Sequence, residues 1–154
     1  MNDHSTLFVS VPISSFSEPK AALTFEQITL RLLHGLRSRL NKWQIYCAAE
    51  AVNKRGGYES PAKATQDDLA ALSRATHFLL LYPAKVPTSA LIELGFAIAR
   101  GLPIVTVTNS RSTLPFMAQG LDSFHRSFSI IESDMFNNGN QRILVDEIAV
   151  RLLQ

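Results

Sequence analysis

Glu93 is the residue whose placement asks for a chemical explanation. It lies in Ala90–Arg100, ALIELGFAIAR, where Glu93 and Arg100 are the only charged residues. An acid near the start of an otherwise apolar helix must reach solvent in a cleft or find a partner, because a buried unpaired charge is costly. A capping box would place the acid three residues after the cap. Thr88 and Ser89 instead precede Glu93 by five and four residues, so that spacing fails and only a simple dipole contact stays open. Arg100 lies about 10.5 Å further along the axis, far for a direct ion pair. A second acid, Asp68, shares a helix face with Leu72 and Ala75, which turns it toward the sheet. Asp67, about 100° away around the helix, faces water. Adjacent acids at a helix start are also ordinary dipole partners. Two carboxylates flanking one crevice suit chemistry on a sugar, one facing the anomeric carbon and the other serving the leaving group.

The elements that would position them alternate between strand and helix. Leu7–Val11 (LFVSV) reads as a buried first strand, followed by the hydroxyl-rich loop Pro12–Ser17. A helix is expected over Pro19–Leu40, with Pro19 in its first turn and Ile28, Leu30, Leu32, Leu33, Leu36 and Leu40 inward. Arg31, His34, Arg37 and Arg39 form its solvated basic face. Trp43–Ala48 is a second strand, and Glu50–Lys63 reads as a loop containing Gly56, Gly57, Tyr58 and Pro61. Thr65 is the expected cap of a helix running to Ala75, which sets Asp67 and Asp68 in the first turn. His77–Leu81 lacks polar alternation, as in a central parallel strand covered on both faces. After the Glu93 helix, Gly101 and Pro103 end the helix and Ile104–Val107 is the fourth strand. Phe128–Ile131 is the fifth strand, and Ile143–Leu153 is a closing amphipathic helix.

This pattern predicts one α/β domain over residues 1–154, a three-layer sandwich on a five-stranded parallel sheet of flavodoxin-like order 2-1-3-4-5. Ligands in such sheets sit beyond the carboxyl ends of the strands, at the switch point between strands 1 and 3. That gathers the loops after strands 1, 2 and 3 beside the start of the Glu93 helix.

Composition removes several function classes. The chain has 154 residues, 46% hydrophobic and 18% charged, which describes a globular protein with a core. A net charge of +2 with scattered basic residues argues against specific nucleic-acid binding. The lone Cys47 excludes a disulfide framework and reads as a buried strand thiol. His4, His34, His77 and His125 show no metal spacing, so no metal and no cofactor are expected. His77 reads as a partly buried core histidine. No signal peptide or membrane span is legible, and a reduced cytoplasm is the expected compartment. Ser10, Ser14, Ser15 and Ser17 could hold a phosphate or hydroxyl groups, although no glycine-rich phosphate loop accompanies them.

The segments Asp68-Leu69, Ala75–Leu80 and Ser89–Ile104 resemble the nucleoside 2-deoxyribosyltransferase family, which includes deoxynucleotide N-glycosidases. The carrying motif is an acid on a small apolar helix, Glu93-Leu94-Gly95-Phe96-Ala97-Ile98-Ala99-Arg100-Gly101-Leu102-Pro103. Phe8–Ile13 resembles the family more weakly. The resemblance implies that Glu93 is the nucleophile at the anomeric carbon and that Asp68 holds or protonates the nucleoside. The expected substrate-binding set is Ser10, Pro12, Ser14, Tyr82, Ser89 and Gly95, with a small nucleoside or nucleotide as ligand. Thr76 stands where the family usually has an aspartate, which bears on base recognition. Pro83–Pro87 replaces its glycine-rich loop, which bears on the 5′ group. TIR domains share the general fold, and their NAD-cleaving members place a glutamate on this helix, so NAD is a further candidate substrate. A nucleotide-sensing domain without turnover is the non-enzyme alternative. The apolar helix and the loop after strand 4 are a candidate face for a homo-oligomer.

Overall fold

The computed structural model describes residues 5–12, 15–50 and 60–154. The elements are β1 (Thr6–Ser10), α1 (Pro19–Arg39), β2 (Gln44–Cys47), α2 (Pro61–Arg74), β3 (His77–Tyr82), α3 (Ala90–Ala99), β4 (Ile104–Thr108), α4 (Leu121–Phe124), β5 (Phe128–Glu132) and α5 (Gln141–Leu152). Short 3-10 turns at Arg111–Thr113 and Phe116–Gly120 lead into α4, and another at Asn138–Asn140 precedes α5. The sheet is parallel throughout, in the order β2-β1-β3-β4-β5, as the alternation of elements predicts.

Strand alternation divides the core in two. Leu7, Val9, Leu79, Leu81, Val105 and Val107 pack under α1 and α5. Phe8, Phe78, Leu80, Tyr82 and Ile104 pack under α2, α3 and the 3-10 segment. Uniformly apolar strands follow from this double cover. Gly35 lets α1 and α5 approach, since a Cβ there would lie 2.8 Å from Val145 Cγ2. Gly101 has φ 67°, the left-handed geometry that ends α3.

Two expectations are corrected. Thr65 is not the cap of α2: Ser60 accepts a hydrogen bond from the Lys63 N–H at 3.1 Å and Pro61 opens the helix, a full turn earlier. Asp67 and Asp68 therefore lie in the second turn, beyond the end where the dipole acts most strongly. Leu30 is 41% exposed rather than core, because it lies at the margin of the inward stripe. The glycine-containing stretch 51–59 and Ser14 lie outside the described residues.

Candidate active site

Ser10 ends β1 and faces the same side of the sheet as Phe8, toward α3. Its Oγ donates a hydrogen bond to Glu93 Oε2. Ser10 is buried and Glu93 is half-buried. Desolvation pushes the Glu93 carboxyl from 4.5 up to about 7, the Ser10 hydrogen bond opposes that rise, and the charge of Asp68 adds to it. The two acids therefore sense one another across the gap between α2 and α3. At neutral pH Glu93 is poised between its acid and its carboxylate.

Arg100 does not pair with Glu93. Its Nη1 donates to the carbonyls of Leu72 at 2.6 Å and Ala75 at 3.1 Å. These carbonyls belong to the last turn and cap of α2, where helical partners run out. Arg100 thus ties α3 to α2, the two helices that carry Glu93 and Asp68. Asp67 turns away from them and pairs with Lys63 at 2.6 Å.

Tyr46 completes the constellation and was not singled out from the sequence. Its hydroxyl donates to Asp68 Oδ1 at 2.9 Å. The ring lies beside Phe8, with centroids 5.3 Å apart, as the β1–β2 register Phe8↔Tyr46 requires. Phe8 in turn stacks on Phe78 at 5.8 Å. The signal was present as alternation. Tyr46 falls between Ile45 and the buried Cys47, and period 2 along β2 sends its ring to the α2 side.

The remaining expected residues separate. Ser89 is exposed at the start of α3 and makes no capping bond with its side chain. Thr88 Oγ1 instead accepts from the Ala90 N–H at 3.2 Å. Pro12 lies on the other side of the sheet, where it lines a cavity of about 320 Å³ with Val11, Phe16, Phe25, Thr29 and Ala49. Tyr82 and Gly95 each have definite surroundings. Tyr82 is 2% exposed, and its hydroxyl donates to the Val86 carbonyl at 2.8 Å and accepts from the Val86 N–H at 3.3 Å. It braces the loop after β3. Gly95 is exposed, and a Cβ there would meet nothing within 4 Å. Two residues beyond Glu93, it lies about 160° away around α3.

Thr76 also has a clear place. Its Oγ1 accepts from the Thr6 N–H at 2.8 Å and donates to the Thr6 carbonyl at 3.1 Å. This is the amino end of β3, about 17 Å along the strand from its carboxyl end. Thr76 joins β1 to β3 and does not reach a ligand beside Glu93. His77 is half-buried against Trp43, ring centroids 4.4 Å apart, and burial lowers its pKa. Cys47 is buried, with its thiol pushed up to about 12 by desolvation, so it is no nucleophile at neutral pH.

No family model and no curated protein matches this chain. Solved structures do. A conserved protein from Enterococcus faecalis V583 superposes with TM-score 0.62 at 19% identity, over 97% of this chain and 99% of the other. A CMP N-glycosidase from Clostridium botulinum superposes with TM-score 0.58 at 15% identity, over 95% of this chain and 99% of the other. At such identities the likeness is one of fold.

Proposed function

We propose that this chain cleaves or transfers the N-glycosidic bond of a nucleoside or nucleotide. The observation that carries the proposal is the grouping of Glu93, Ser10 and Asp68 at the carboxyl end of β1. They lie at the switch point of the sheet, and the carboxyl of Glu93 is held near neutrality. The likeness in fold to a CMP N-glycosidase supports the same reading.

In this reading the ionised Glu93 faces C1′, as nucleophile or as stabiliser of the oxocarbenium-like centre. The C1′–N bond breaks, and its electron pair leaves with the base. Asp68, steadied by Tyr46, binds the departing base or relays to it a proton given up by the incoming acceptor. Water adding its oxygen to C1′ makes the reaction a hydrolysis, and a second base adding there makes it a transfer. Ser10 orients the carboxylate and favours its charged form. In this reading Ser89, exposed at the start of α3, would meet a sugar hydroxyl or a phosphate.

The experiment is to incubate the protein with deoxynucleosides, ribonucleosides, their 5′-monophosphates and NAD, and to measure the free base. Release from a nucleoside or monophosphate that Glu93→Ala abolishes supports the proposal. Nicotinamide release from NAD alone would move the substrate to a dinucleotide. Tight nucleotide binding without cleavage, indifferent to Glu93, would leave a binding domain in its place.

A further inference from the structure

The helix that carries Asp68 is lightly mounted. Of the 14 residues of α2, the buried ones are Ala71 and Leu72, so the apolar anchor is small. A helix held by so few atoms is soft in its angle and position, and side chains from neighbouring elements must fix it. The Tyr46 hydroxyl reaches Asp68 from β2 at 2.9 Å. At the other end Arg100 reaches across from α3 to the carbonyls of Leu72 and Ala75. A cation suits that end, where helical carbonyls lack partners and the dipole is negative.

Arg100 itself stands on a fixed base. The Gly101 N–H donates to the Ile98 carbonyl at 2.9 Å, and the Leu102 N–H donates to the Ala97 carbonyl at 3.1 Å. With Gly101 in the left-handed region, these two bonds close the end of α3, and Arg100 is its cap residue. Leu102 is buried in the core below. Along α2, Leu72 lies one turn beyond Asp68, about 6 Å down the axis. Along α3, Arg100 lies about 10.5 Å beyond Glu93. The guanidinium thus bonds backbone carbonyls some way below both acids, and neither carboxylate.

Two neighbouring carboxylates repel, by an energy that falls as they separate. A softly mounted α2 left to itself would carry Asp68 away from Glu93. We infer that Arg100 is a positioning residue: by clamping the end of α2 to the end of α3, it fixes how far Asp68 stands from Glu93. The inference rests on the reading of these two acids as the reacting pair, and it adds the residue that sets their spacing without touching a substrate.

The titration of Glu93, followed by carbon-13 NMR of its carboxyl, reads that spacing without turnover. Around the carboxyl stand the Ser10 hydroxyl of β1, Asp68 of α2 and the Cys47 thiol of β2, so Asp68 is the charge that a moving α2 displaces. The wild-type midpoint should lie at about 7. Asp68→Asn should lower it by about half a pH unit or more, a modest effect for one nearby carboxylate. Arg100→Ala should lower it too, and Arg100→Lys, which keeps the charge without the planar fork, should lower it less. Added to Asp68→Asn, Arg100→Ala should lower it no further, because it acts through Asp68. Loss of a cation alone has the opposite sign, since it raises a nearby acid. A midpoint that rises or stays in Arg100→Ala, or that falls equally in the Asp68→Asn background, would overturn the inference. If Arg100→Ala does not fold, Arg100→Lys with and without Asp68→Asn decides by the same comparison. Base release from the same samples keeps the two claims apart. A wild type that releases none would remove the chemistry assigned to Glu93, and the NMR midpoints would still decide the clamp.

Discussion

Ser10 and Glu93, 83 positions apart in sequence, share a hydrogen bond that joins the end of the first strand to the first turn of α3. The bond stabilises the charged form of a carboxylate that burial otherwise keeps protonated. Ser10→Ala should therefore raise the Glu93 pKa above about 7. If ionised Glu93 is the active form, activity rises with pH through that value, and this limb should move to higher pH in the variant. Asp68→Asn removes a charge that raises the same pKa, and should move the limb down. A pH–rate profile of each variant checks both directions. Limbs that stay together would separate Glu93 from the titration.

The same shift makes a prediction about stability. Glu93 has an ordinary value of 4.5 and a folded value of about 7, so between them the folded chain holds a proton that the unfolded chain has lost. Stability then falls as pH rises across that window, by about 3 kcal/mol in full. Glu93→Gln cannot ionise and escapes the loss. Urea midpoints of the two proteins should agree below pH ~4 and diverge by pH ~8, with the variant more stable. Parallel curves would contradict the assigned shift.

How much of this was legible in the sequence varies by level. The strand order followed from alternating apolar strands and helices, since each crossover needs a covering layer. Glu93 and Asp68 stood out because charge on apolar faces is conspicuous. Tyr46 did not, because in a strand its ring looks like any half-buried aromatic. Its partner Asp68 comes from a helix 22 positions on. The surroundings of Tyr82 and Gly95 were not legible for a related reason. Chain proximity to the site says nothing of direction, and the bond of Tyr82 to Val86 and the outward angle of Gly95 are set by the tertiary structure. Arg100 was read as too far along the helix to pair with Glu93, and the carbonyls of Leu72 and Ala75 at the end of α2 hold it instead.

Tyr46→Phe isolates the support given to Asp68. The ring contact with Phe8 survives, and the 2.9 Å hydrogen bond to Asp68 is lost. A hydrogen bond to a charged group is worth about 1.5–3 kcal/mol, so kcat/KM should fall by about tenfold or more if Asp68 must be held for the base. Unfolding monitored alongside should show a cost of the same order or less. Unaltered kinetics with normal folding would mean that Asp68 needs no such anchor.

Gly35→Ala probes the packing of α1 on α5. The new methyl would lie 2.8 Å from Val145 Cγ2, so the helices must part or the valine must turn. Overpacking of this kind costs about 1–3 kcal/mol. Adding Val145→Ala removes the clash and should recover part of the loss, a coupling that thermal unfolding of the single and double variants measures directly.

The most direct measurement is release of free base from nucleosides and nucleoside 5′-monophosphates by wild type and Glu93→Ala, both verified as folded. The account predicts base release by wild type and a loss of several orders of magnitude in the variant, the scale expected when a covalent or charge-stabilising group is removed. Base release that continues at the wild-type rate in Glu93→Ala would contradict it.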